Sequence, residues 1–202
     1  MYAIVTNNEI TKFINHPKSL VIGDVRYPAK IFSVWSASEL NAIGIYEVVF
    51  DNSNKKDEKW YINTNQSFDF DGNEVTASYG TATPKRAEDE NAVDEDGNNI
   101  LDENGNQVIN YGLKTQLIRT LKSQVSNELA RTDWYITRNT EKETAIPSAI
   151  STHRDAVRTK QAEMETAITN ASDTPALETL YTYTTTDGVQ SRPLGELPTL
   201  ES

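Results

Sequence analysis

Between Glu88 and Asn106 the chain carries eight acids (Glu88, Asp89, Glu90, Asp94, Glu95, Asp96, Asp102 and Glu103) and neither Lys nor Arg. Those 19 residues hold −8 of the formal net charge of −11. Unpaired carboxylates resist burial, so this stretch reads as a connector between the two flanking regions. Within it, Asp94-Glu95-Asp96-Gly97-Asn98 is echoed by Asp102-Glu103-Asn104-Gly105-Asn106 at a period of eight residues. Asp-Gly and Asn-Gly are strong turn dipeptides, and Ile100-Leu101 and Val108-Ile109 are the apolar pairs beside them. The expectation is a small exposed hairpin or tandem turn, one that a partner orders.

The rest of the 202-residue chain divides around this connector, and an α+β fold is expected. Residues 1–82 read as a small, mostly antiparallel sheet with one helix. Tyr2–Val5 and Glu9–Ile14 flank an Asn-rich turn, and Leu20–Ile22 and Val25–Tyr27 flank Gly23-Asp24. Ser36 with Glu39 forms a capping-box pattern, and Gly44 fits the left-handed residue that closes a helix. Further strands are expected at Ile45–Phe50, Glu58–Asn63, Ser67–Asp71 and Glu74–Tyr79.

After the connector, residues 83–111, comes a helical region, 112–182. Leu113, Leu117, Leu121, Val125 and Leu129 recur every four residues, which predicts one buried stripe on a helix over about 112–130. Ala130–Asp133 breaks the pattern. A second helix is predicted from near Pro147 to Asn170, with Ile150, His153, Val157, Met164 and Ile168 inward. A third opens with Thr174 as N-cap and Pro175 at its first position. The tail, residues 183–202, carries two prolines and two glycines and is expected to lack regular structure. Its Leu194 and Leu197 are candidates for docking in a groove as an extended segment.

The chemistry that might make an enzyme is thin. With no cysteine, thiol catalysis and thiolate metal sites are excluded. Gly-rich phosphate loops and nucleophile elbows do not occur, and the carboxylates cluster in an exposed stretch. Asp94, Asp96 and Asp102 are weak calcium candidates, because the EF-hand register fails. Counting from Asp94, Asn99 stands where Gly is needed and Gly105 where Glu is needed. His16 and His153 lack companions at ligand spacing, so no metal and no cofactor is expected. The acidity disfavours nucleic acid. No apolar run approaches the roughly 20 residues that span a bilayer, so no membrane insertion is expected.

Interface candidates are Trp134, Tyr135, Arg154 and Arg158, besides the tail leucines. The two rings either lock the flanking helices together or present an anchor, and locking is the expected role. On that reading Trp134→Ala costs about 3 kcal/mol or more. Arg154 and Arg158 stand four apart and are expected on an ordinary solvated face; the functional alternative is a basic strip facing an acidic partner.

Leu129-x-x-Thr132-Asp133-Trp134, Arg138, Ile146-Pro147 and Arg154-x-x-x-Arg158 together resemble the C-terminal signature of bacteriophage tail assembly chaperones and tail-fibre assembly proteins. In that family a Thr-Asp-Trp turn precedes a Gly-containing bend, an Ile-Pro and an Arg-bearing helix. Here Asn139–Thr144 stands in place of the bend glycine, and Leu197-Pro198 alone represents the family's proline-rich ending. Asn15–Lys18, Trp35-Ser36 and Ala42–Tyr46 are similar to proteins encoded beside tail genes in marine phages. The resemblance implies a non-enzymatic component of a tail, baseplate or tail-fibre module. That it is made in the host cytoplasm and carried in the virion tail is the expectation drawn from the long acidic and tail segments, which read as elements ordered by neighbours. Its partners would be other phage tail or fibre proteins, in a homo- or hetero-oligomer. A transient assembly chaperone is the alternative, and a calcium-dependent binding module the second.

Overall fold

Asn7 and Asn8 take φ of 53° and 64°, the pair of left-handed residues that a tight two-residue turn requires. They join β1 (Tyr2–Thr6) to β2 (Glu9–Ile14) in the computed structural model, which describes residues 1–64 and 66–200. The chain is α+β and forms two compact units, Met1–Thr83 and Pro84–Ser202.

In the first unit, β3 (Leu20–Ile22) and β4 (Val25–Tyr27) form a second hairpin. A single helical turn, α1 (Ile31–Val34), follows; no periodicity announces so short a segment. The expected capping box starts α2 (Ala37–Asn41): the Ser36 amide donates to Glu39 Oε2 at 2.7 Å, and the Glu39 amide to Ser36 Oγ at 3.3 Å. Gly44 then turns the chain at φ +80°, where a Cβ would lie 2.6 Å from the Val5 carbonyl oxygen. That close approach launches β5 (Ile45–Asp51) beside β1.

The expected strand over Glu58–Asn63 shrinks to β6 (Tyr61–Ile62), because the Trp60 and Tyr61 amides both turn back onto the Asp57 carbonyl. β7 (Ser67–Phe70) and β8 (Val75–Ser78) form a hairpin, and the sheet order is β2-β1-β5-β8-β7. All its pairings are antiparallel except β5 with β8. Burial explains which strand of the hairpin lies inside: Val75 and Ala77 of β8 are fully buried, whereas β7 buries nothing completely. One face of the sheet packs Ile4, Ile14 and Ile45 against Leu20, Ile31 and Leu40. The other packs Ala3, Val48, Val75 and Ala77 beneath Tyr46, Phe68 and Phe70.

The second unit includes the acidic connector and the tail rather than leaving them separate. β9 (Thr83–Pro84) falls on the boundary. β10 (Glu90–Asn91) pairs with β11 (Ile109–Asn110), and the two eight-residue turns lie between them. Their backbones close a ring: the Ile100 amide donates to the Ala92 carbonyl, Val108 to Ile100, and Ala92 back to Val108, all at 2.8–2.9 Å. The connector therefore has internal order of its own.

Beyond it, Asp89 caps α3 (Leu113–Ala130) from a distance in sequence, accepting from the Gly112 amide at 2.7 Å and the Thr115 hydroxyl at 2.9 Å. Gly112 is needed for that approach, since a Cβ there would lie 2.3 Å from the Glu88 carbonyl oxygen. Leu113, Leu117, Leu121 and Val125 are buried as the spacing predicts, and α3 packs on α5 (Ser148–Asn170). Between them is an unforeseen helix, α4 (Asp133–Lys142), which ends on Glu143 at φ 52°. α6 (Thr174–Tyr181) is capped by Asp173, whose carboxylate accepts from the Ala176 amide, and not by Thr174. Thr174 is instead buried, its hydroxyl donating to the Lys85 carbonyl.

The tail corrects a second expectation. Asp187 and Gly188, at φ 51° and 80°, join β12 (Thr184–Thr186) to β13 (Val189–Ser191) in a hairpin. The Leu194 amide then donates to the Leu180 carbonyl, and its side chain is 2% exposed. Leu194 is thus core of this chain rather than an interface, and Leu197 is half-buried. Residues 201 and 202 of the expected tail lie outside the described residues.

Candidate functional site

Leu129, Thr132, Asp133 and Arg154, four of the spaced residues noted in the sequence, meet at the corner between α3 and α4. A helix C-terminus leaves carbonyls without amide partners and carries partial negative charge. Here Leu129 presents such a carbonyl, and Thr132 turns back to it through both its amide (3.1 Å) and its hydroxyl (3.0 Å). Arg154, reaching from α5, donates Nη1 to the Leu129 carbonyl at 2.8 Å and to Thr132 Oγ1 at 2.7 Å. The same nitrogen lies 2.9 Å from Asp133 Oδ1. Thr132 is 1% exposed and Arg154 8%. The expected solvated face is therefore wrong for Arg154: its charge is drawn inward by the Leu129 carbonyl and the buried Thr132 hydroxyl. Arg158, one turn on, does face solvent and pairs with Asp155 at 3.2 Å.

A second polar pair supports the corner. Glu128 accepts from Arg131 at 2.9 Å and meets His153 Nε2 at 3.0 Å. The Arg131 hydrogen bond, with the contact to His153, holds the Glu128 carboxyl below its usual range. His153 is buried on the inner face of α5, as its spacing predicts, and its ring nitrogen is engaged by Glu128.

The corner sets the direction of α4, and α4 buries none of its residues. Trp134 is 51% exposed. Its ring stacks on Tyr135 with centroids 3.8 Å apart and planes inclined by 32°. The Arg138 guanidinium, one turn later, lies 4.7 Å from the Trp134 centroid and 5.5 Å from that of Tyr135. Ile136 adds a further exposed apolar side chain. The locking role expected of Trp134 is thus overturned. The corner is fixed by Arg154 and Thr132, and Trp134 is left exposed against a half-buried Tyr135, pre-ordered by a cation–π contact. Large rigid rings flanked by arginine are the residue types that dominate protein–protein hot spots.

The acidic turns spend their oxygens on themselves. Asp94 Oδ1 accepts from the amides of Asp96 (3.0 Å) and Asn98 (2.8 Å), and Asp102 Oδ1 from those of Asn104 (2.9 Å) and Asn106 (2.8 Å). These bonds, strongest from Asn98 and Asn106, hold both carboxyls below the usual aspartate range. Among the described residues no group of three or more His, Asp or Glu side chains is arranged to hold a metal ion. Asp94 and Asp102 are accounted for as turn formers, with Asp96 inside the first turn.

No family model matches the chain, and comparison with curated proteins and with solved structures gave no match. No described helix is long and apolar enough to cross a membrane.

Proposed function

We propose that this chain is a non-enzymatic structural protein of a bacteriophage tail, baseplate or tail-fibre module, working by protein–protein contact in the virion. Two lines support the reading. The first is the resemblance over Leu129–Arg158, whose signature positions Leu129, Thr132, Asp133 and Arg154 share one corner. The second, which carries it, is the Trp134–Tyr135–Arg138 stack, its Trp134 exposed and its other two members half-buried, on a helix with no fully buried residue of its own. A helix of that kind gains little by folding unless a neighbour covers it.

Mass spectrometry of purified particles, with and without Trp134→Ala in the producing phage, is the test. The expected result is the chain in particles at stoichiometric copy number, and its loss or depletion with Trp134→Ala. A chain absent from particles but required for tails or fibres to form would replace virion residence with the transient chaperone reading. A chain absent from particles and dispensable for them would refute both.

A further inference from the structure

The first unit contains a small recess, of about 90 Å³, on the sheet face beneath α1 and α2. Its construction follows from strand register. β1 and β5 are antiparallel with Tyr2 directly opposite Glu47, which places both side chains on one face of the sheet. α1 then lays Phe32 over Tyr2, with centroids 4.8 Å apart and planes at 49°. Trp35, in the link between α1 and α2, is held edge-on by Tyr27 at 5.8 Å and 79°. Buried Leu40, with Ala37 and the half-buried Asn41 of α2, completes the lining. None of the three lining rings is fully buried. Glu47 is exposed, and among the described residues it has no ion-pair partner.

Three aromatic rings and one carboxylate define a narrow chemistry. The negative faces of the rings and the charge of Glu47 both favour a cation. An anion would be repelled by Glu47, and a neutral ligand would gain at most a hydrogen bond from it. Size narrows the choice further. A cavity of about 150 Å³ accepts benzene, with six heavy atoms. By that measure 90 Å³ takes one compact head group and no more. We propose that this recess is a binding site for an alkylammonium head group of trimethylammonium size. Tyr2, Phe32 and Trp35 form its walls, and Glu47 is its counter-ion. The site is independent of the α4 surface.

The test is a two-dimensional NMR titration of the full chain, read at the Trp35 indole N–H. The probes are choline, the methylamide of acetylated trimethyl-lysine, and 3,3-dimethylbutanol as the uncharged shape-mimic of choline. One or both cations are expected to give saturable shifts at Trp35 with millimolar affinity, and the alcohol none. The stronger cation identifies the natural source as a free solute or a modified side chain. Glu47→Gln, at an exposed position, is expected to weaken the better cation about five- to tenfold. Phe32→Leu should weaken it about threefold or more, with the rest of the spectrum in place for both variants. Absence of a saturable shift up to roughly 50 mM, equal binding of the alcohol, or unchanged affinity in Glu47→Gln would each overturn the assignment.

Discussion

Replacing Arg154 by Met keeps most of the side chain's length and apolar stem but removes the guanidinium that joins α5 to the α3–α4 corner. The expected loss is worked out from what each acceptor has left. The Leu129 carbonyl retains the Thr132 amide and hydroxyl, so it is not orphaned. The Asp133 carboxylate is 60% exposed and regains water. Thr132 Oγ1, in a residue 1% exposed, loses its donor with no solvent to replace it. The net is between one and two charge-assisted hydrogen bonds at about 1.5–3 kcal/mol each, or about 3 kcal/mol in all. Urea unfolding of the full chain, followed by circular dichroism at 222 nm, reports mainly on the second unit, which contains the long helices. A double-mutant cycle apportions the loss: coupling to Thr132→Val is expected at about 1–2 kcal/mol. Coupling to Asp133→Asn should be below about 1 kcal/mol, because an ion pair with one partner in water contributes little. A total loss under about 0.5 kcal/mol, or a coupling to Asp133 larger than that to Thr132, would refute the account of the corner.

Four further outcomes are expected. Trp134→Ala should lower stability by no more than about 1 kcal/mol, the scale of an exposed stacking and cation–π contact; a loss of 3 kcal/mol in the same urea titration would restore the locking role. Glu143→Gly should raise stability by about 0.5–1 kcal/mol, since a left-handed residue with a Cβ is strained by about 1–2 kcal/mol and glycine's extra chain entropy offsets part of the relief; a lower midpoint would show that Glu143 makes up the strain elsewhere. Leu194→Ala, at a position 2% exposed, should cost about 2–4 kcal/mol, whereas a neutral result would mean that the tail is not docked on this chain. The carboxyls of Asp94 and Asp102 are held below their unfolded values by turn hydrogen bonds. Their contribution is therefore fully present above the ordinary aspartate range near pH 4 and is lost as the pH falls through their lowered folded values. Carbon-13 NMR of the two side-chain carboxyls should give midpoints below the ordinary aspartate value, and midpoints at that value would contradict the turn geometry.

The sequence was most legible where one local signal specifies one local structure. Asn7-Asn8, the Ser36–Glu39 box and the four-residue spacing from Leu113 to Val125 each carry their geometry within a few residues. Asp187-Gly188 carried it too, but its flanking Thr, Val and Gln residues are all exposed and show no alternation to mark strands. α4 was hidden for a different reason: a helix that buries nothing has no apolar stripe, and Asp-Trp-Tyr-Ile-Thr are indifferent helix formers. Arg154 looked like half of a surface charge pair. Its burial depends on a carbonyl 25 residues away and a hydroxyl 22 residues away, which no spacing rule along α5 can report. Leu129, Thr132, Asp133 and Arg154 each stand out along the chain, but their assembly around Thr132 is tertiary. The recess lined by Tyr2, Phe32, Trp35 and Glu47 was equally out of reach, because strand register and a one-turn helix create it.

The three-way bond among Ala92, Ile100 and Val108 limits how this region can vary. In an open stack each new copy adds onto the last, and length can drift. A closed loop of amides leaves no free end to extend, so a third eight-residue copy would have to break the link from Ala92 to Val108 and separate β10 from β11. The number of copies is thereby fixed at two by geometry, while exposed Glu95 and Glu103, unlike the turn-forming aspartates and the left-handed Gly97 and Gly105, can be exchanged without disturbing the frame.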